Sequence, residues 1–219
     1  MDERLRLRYK KTGSAKYISH LDLMATIRRA LIRAGIELRY SEGFNPHPYI
    51  SVALPLPVGC GSVCELMDVR VSPGQQRADI PELVSSELPA GIEITEAYMP
   101  EKKFNEIAWV ELTGLLYYDN RDIEGVALDL TKRFSSSSIT VVRKTKRSES
   151  EIDIAPFIRS FEFHGDDVVN MTVRVSAQNP SVTPALLMSA LDGEFFELAP
   201  CFSLFTRVEL YDRDMKIFK

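Results

Sequence analysis

The chain has 219 residues, 45% of them hydrophobic and 26% charged, with a formal net charge of −4. This composition belongs to a folded globular protein and excludes a wholly disordered one. The mild acidity excludes a protein that coats nucleic acid through bulk charge.

Residues 4–10 alternate Arg-Leu-Arg-Leu-Arg-Tyr-Lys. Leu5, Leu7 and Tyr9 therefore share one face of a half-buried strand, with the cations on the other. Ser19, followed three residues later by Asp22, reads as the cap of a helix over about 20–34. The apolar positions Leu21, Met24, Ile27, Leu31 and Ala34 are expected on its buried side, and Gly35 at its C-terminal stop. Short strands are expected at 36–40 and 49–54, around a loop at 41–48. A strand at 63–71, an amphipathic helix with Ile80, Leu83, Val84 and Leu88 inward, and a strand at 92–99 complete the first half.

The second half repeats that order. A strand is expected at 108–118, a helix at 121–134 with Ile123, Val126, Ala127, Leu130 and Phe134 inward, and a strand at 139–145. Residues 151–163 and 167–177 read as a strand pair. Pro184 opens a short helix, and 202–211 is the last strand. The pattern predicts an α+β protein of two tandem ferredoxin-like (βαββαβ) units with antiparallel sheets. The expected domains are 1–101 and 106–219.

No stretch approaches the ~18–20 apolar residues that span a bilayer. The start of the chain has no apolar run of the kind a signal peptide carries. Three cysteines, Cys60, Cys64 and Cys201, are too few for a disulfide framework. A cytoplasmic protein without a membrane partner is expected. Cys60 and Cys64 with His47 upstream lack the second close ligand pair of a zinc site, so neither a metal nor a cofactor is expected.

The average charge hides an asymmetry. Residues 1–48 hold ten Lys or Arg and five Asp or Glu, so they carry +5 and the remainder carries −9. Helical spacing lines up Asp22, Thr26, Arg29 and Arg33 on one face, with Arg28 on its flank. That face is either a phosphate-binding fork of guanidinium groups or a solvated surface with local ion pairs. The loop Ser41-Glu42-Gly43-Phe44-Asn45-Pro46-His47-Pro48 is stiffened by two prolines. Phe44 is suited to stack on a base, and Asn45 to read a base edge. The same loop also works with Phe44 plugging the core. His20 and His47 are a candidate pair for RNA cleavage, one as base and one as acid. Glu65 and Asp68 lie three apart in a strand and so point to opposite faces, which makes them a poor acid–base pair. Arg143, Lys144, Lys146 and Arg147 form a second basic cluster at a hairpin.

The motifs YISHLDL, RRALIRAGI, YSEGFNPHPYIS, LPLPVG and the E-x-x-D of Glu65 and Asp68 span residues 17–68. With IDIAPFI at 152–158, they resemble the radical SAM-linked family, whose members are encoded beside or fused to radical SAM proteins that often carry a cobalamin-binding domain. The family pattern often has Lys where Tyr49 stands here. The resemblance implies a radical SAM protein as partner and an RNA-related role. The leading expectation is a non-catalytic accessory protein that presents RNA or another anionic substrate through Arg28, Arg29, Arg33, Phe44, Asn45 and His47. The alternatives are an RNA-processing enzyme using His20 and His47, and a structural assembly module.

Overall fold

Alternation over residues 4–10 produces the strand that organises the first half. In a computed structural model that describes residues 3–75, 78–144 and 149–219, this strand is β1 (Glu3–Lys11). Its Leu5, Leu7 and Tyr9 are buried. The chain is mixed α+β, with mostly antiparallel sheet and few helices. It divides into two units, residues 1–104 with Lys219, and residues 105–218.

In the first unit β1 is followed by α1 (His20–Arg33), β2 (Ile50–Val52), β3 (Gly61–Val71), α2 (Ile80–Ser86) and β4 (Ile92–Tyr98). The strand order is β4-β1-β3-β2, and every neighbouring pair is antiparallel. Ser19 caps α1, its Oγ accepting from the Asp22 backbone N–H at 3.1 Å. At the other end Gly35 adopts φ +76°. The N–H of Ile36 returns to the carbonyl of Leu31, and that of Gly35 to Ile32. This is a Schellman stop, which needs a left-handed residue where glycine stands.

The buried side of α1 consists of Leu23, Ile27, Ala30 and Leu31, flanked by Met24 and Ala34. Leu21, expected inward, is 76% exposed. Two residues along a helix is a rotation of ~200°, so a stripe centred on Leu23 and Ile27 turns Leu21 to solvent. Leu23, Ile27 and Leu31 pack with Met67, Val69 and Val71 of β3 and with Ile80 and Val84 of α2. Helices thus cover one face of the sheet. The expected strand at 36–40 is reduced to single bridges, Leu38 to Val71 and Tyr40 to Pro48, and the strand at 49–54 to three residues.

The second unit contains β5 (Trp109–Tyr117), α3 (Ile123–Phe134), β6 (Thr140–Lys144), β7 (Glu149–Asp153), β8 (Ile158–Gly165), β9 (Val169–Ser176), α4 (Pro184–Met188) and β10 (Phe202–Tyr211). Its sheet runs β10-β5-β9-β8, all antiparallel, while β6 and β7 form a separate hairpin. The single strand expected at 151–163 is therefore two, separated by a 3-10 turn at Ala155–Phe157. Asp153 makes the break. Its Oδ1 accepts from the N–H groups of Ile139 at 2.8 Å and Ala155 at 3.0 Å, which turns the chain and ends the β6–β7 ladder. Those two bonds hold its carboxyl below the usual range. Among the described residues no helix is long and apolar enough to cross a membrane.

Candidate functional site

With Leu5, Leu7 and Tyr9 turned to the helices, the period of two sends Arg4, Arg6 and Arg8 to the opposite face of the sheet. Register then decides what each cation meets. Arg6 stands directly across from Asp68, and Arg4 directly across from Arg70. The guanidinium of Arg6 is fully buried. It donates from Nε to Asp68 Oδ1 at 2.7 Å and from Nη2 to Asp68 Oδ2 at 2.9 Å. It also donates to the carbonyl of Lys102 at 2.9 Å and lies 4.4 Å from the ring centroid of Phe104. Asp68 is thereby neutralised, and the segment 102–104 is held against this face. On the other flank Tyr98 pairs with Arg6. Burial pushes its phenol up to about 12, against the opposing pull of the Arg6 charge.

The loop 41–48 closes on itself. Tyr40 bridges Pro48, and the Ser41 N–H donates to the His47 carbonyl at 2.8 Å. Ser41 Oγ accepts from the His47 N–H at 3.1 Å and lies 2.9 Å from His47 Nδ1. One serine therefore fixes both the backbone and the ring of His47 at the foot of the loop. Tyr49 follows, its N–H bonded to the Arg39 carbonyl and its carbonyl to the Arg70 N–H. The Arg70 guanidinium lies 4.5 Å from the Tyr49 ring centroid.

These groups line a cavity of about 310 Å³. Arg4, Arg70 and Lys103 bring positive charge to it, while His47, Tyr49 and Phe104 bring rings. Among the described residues Asp68 is the one carboxylate in its lining, and it is held by Arg6. Among the described residues neither Arg4 nor Arg70 has an ion-pair partner. Two like charges directly opposed on a sheet are destabilising, so this geometry favours a bound anion. A second cavity, of about 530 Å³, carries Glu96 and Glu101. Its Lys219 is bonded to Glu96 at 3.1 Å, so it offers an anion nothing comparable.

Of the residues singled out in the sequence, His47 lines the first cavity. Phe44 stands fully in solvent at the tip of the loop, with Asn45 exposed beside it, so Phe44 is not a core plug. Arg28 is half-buried and Arg29 exposed on α1. Arg33 is engaged with Glu87, the residue that caps α2, its Nε 2.6 Å from Glu87 Oε2. None of Arg28, Arg29, Arg33, Phe44 and Asn45 lines the cavity, and neither does His20. Glu65 is buried on the helix-covered face and Asp68 lies on the other, as their odd separation requires. Cys60 and Cys64 are buried free thiols, and His47 is exposed. Among the described residues no three His, Cys, Asp or Glu side chains are grouped to hold a metal ion. Lys146 and Arg147 of the second basic cluster lie outside the described residues, and Arg143 is exposed on β6. Arg4, Tyr49, Arg70, Lys103 and Phe104 are site residues that no motif in the sequence singles out. The strand alternation at 4–10 already placed Arg4 away from the core.

Residues 4–184 match the model of a family described as an uncharacterized protein conserved in bacteria (DUF2344). No curated protein matches the chain. A similar solved structure is that of an unknown protein from Galdieria sulphuraria, 12% identical, with a TM-score of 0.28 over 80% of this chain and 82% of that one.

Proposed function

We propose that this chain, which belongs to the conserved bacterial family of uncharacterized proteins matched over residues 4–184, is a non-catalytic binding protein. Its first unit takes an anionic ligand at the foot of the 41–48 loop and presents it to a partner enzyme. The observation that carries this reading is the opposed pair Arg4 and Arg70, both lining one cavity whose one carboxylate among the described residues is already paired. The wholly exposed Phe44 at the loop tip supplies a ring for a base of a longer RNA ligand. The motifs of residues 17–68, which resemble the radical SAM-linked family, make a radical SAM protein the partner of choice.

The strand orders β4-β1-β3-β2 and β10-β5-β9-β8 support reading both units as ferredoxin-like. In each, one helix follows the first strand and another the third, with the β6–β7 hairpin as an insertion in the second unit. RNA cleavage by His20 and His47 has less support, because only His47 reaches the cavity.

The test is a salt titration of a short fluorescein-labelled single-stranded RNA on the full chain. Binding is expected to weaken steeply with salt. A double substitution of Arg4 and Arg70 to Gln is expected to weaken it by at least about tenfold, ~1.4 kcal/mol. Binding that is insensitive to both salt and the substitutions overturns the proposal.

A further inference from the structure

Resting on the reading that this cavity takes an anion, we infer that its ligand is a nucleoside monophosphate unit with a terminal phosphate, either a free nucleotide or the phosphorylated end of an RNA. Three features lead there. The first is charge. Arg4, Arg70 and Lys103 all line one small space. A terminal phosphate carries ~−1.5 to −2 near neutral pH, whereas an internal phosphodiester carries a single charge. A site for a passing backbone would spread its cations along a groove. Here the basic face of α1 stays outside the cavity, and Arg33 is taken by Glu87.

The second is size. At about 310 Å³ the cavity falls at the lower end of the ~300–1,000 Å³ range of small-molecule sites. It accommodates one nucleotide, not a run of them. The third is the ring wall. Tyr49 is 37% exposed, with Arg70 over one part of it. The His47 ring lies 6.5 Å from that of Tyr49, tilted by 58°. A purine or pyrimidine laid on Tyr49 extends an existing cation–ring stack while its phosphate reaches between Arg4 and Arg70. With Nδ1 set against Ser41 Oγ, Nε2 is the His47 ring atom left for the ligand. The carboxylate of Asp68 keeps free lone pairs for a sugar hydroxyl or base amine.

The experiment uses the full chain and calorimetric titration with AMP, adenosine and inorganic phosphate. It is paired with a competition between one short RNA bearing a 5′-phosphate and the same RNA with a 5′-hydroxyl. AMP is expected to bind at least about tenfold more tightly than adenosine or phosphate alone, since both halves of the site then contribute. If the source is an RNA end, the 5′-phosphorylated RNA binds at least about tenfold better than its 5′-hydroxyl form. If the source is a free nucleotide, AMP alone shows the preference. Arg4→Gln is expected to remove the preference for the phosphorylated form. Tyr49→Ala is expected to weaken AMP while leaving inorganic phosphate unchanged, and a thermal melt confirms that each variant is folded. Equal binding of both RNAs without competition by AMP overturns this inference and leaves the anion-binding reading standing. Absence of binding by every probe overturns both.

Discussion

Arg4 and Arg70 face each other across two hydrogen-bonded strands, like charge against like charge, and among the described residues neither has an ion-pair partner. A sheet position of this kind is destabilised by the opposed like charges. Arg4→Thr is therefore expected to raise the stability of the free protein by about a few tenths of a kcal/mol, since it also places a β-branched residue in the strand. The same substitution weakens ligand binding. Urea denaturation with and without AMP reads both effects. An unliganded protein that loses stability on this change argues that the cation is structural.

The neighbouring pair behaves in the opposite way. Arg6 is buried and its two bonds to Asp68 leave neither charge uncompensated. Removing one partner strands the other, so Arg6→Ala or Asp68→Ala is expected to cost ~3–5 kcal/mol. Replacing both with apolar residues, Arg6→Met with Asp68→Leu, costs less than either single change. A double-mutant cycle by urea unfolding checks the ordering.

Arg33 and Arg70 are separated by what already holds them. Arg33 is committed to Glu87, and Arg70 is open to the cavity. In the RNA salt titration, Arg70→Ala is expected to lower the slope of log K against log salt by ~1. Arg33→Ala leaves that slope unchanged. A slope that responds to Arg33 and not to Arg70 would return the binding surface to α1.

Tyr98 predicts an alkaline limb. Its phenol is raised from 10.0 to about 12, so the neutral form is favoured in the folded state. That contribution to stability is complete below pH 10 and is lost as the pH rises toward about 12. Tyr118, raised to about 12 by burial, titrates in the same window. The Tyr98 hydroxyl is buried with no hydrogen-bond partner among the described residues. Tyr98→Phe is therefore expected to cost nothing at neutral pH and to remove one tyrosine from the late-ionising class seen by ultraviolet absorbance.

Asp153 contributes to the acid limb. Hydrogen bonds from Ile139 and Ala155 lower its carboxyl below the ordinary 3.8. The stability it adds is present above 3.8 and lost as the pH falls through its lowered folded value. Asp153→Asn is expected to flatten stability against pH below about 4. Acid titrations followed by circular dichroism compare the two slopes.

Local features of this fold were legible because their causes lie within a few residues. The alternation at 4–10, the Ser19 cap and the Gly35 stop each involve neighbours along one segment. Leu21 differs from expectation because a spacing of three and four starting at 21 fits the sequence as well as one starting at 23. Only packing against Met67 and Val69 selects between them. In the site, the stiff loop and His47 were visible as a segment. The pairing of Arg6 with Asp68 spans 62 residues, and that with the Lys102 carbonyl spans 96. No local pattern encodes such partners. The arginines of α1 stood out because they are adjacent in sequence, whereas Arg4 and Arg70 become neighbours only when β1 and β3 pair.

The hold of Arg6 on the Lys102 carbonyl and the Phe104 ring bears on where this protein can be cut. A fragment ending at 101, the boundary read from the sequence, would keep all four strands of the first sheet and both helices. It would nonetheless lose Lys103 and Phe104 from the cavity wall, and would open a buried guanidinium to water. Such a piece would look well folded by its secondary structure and still test as inert. The minimal unit worth isolating runs past Phe104.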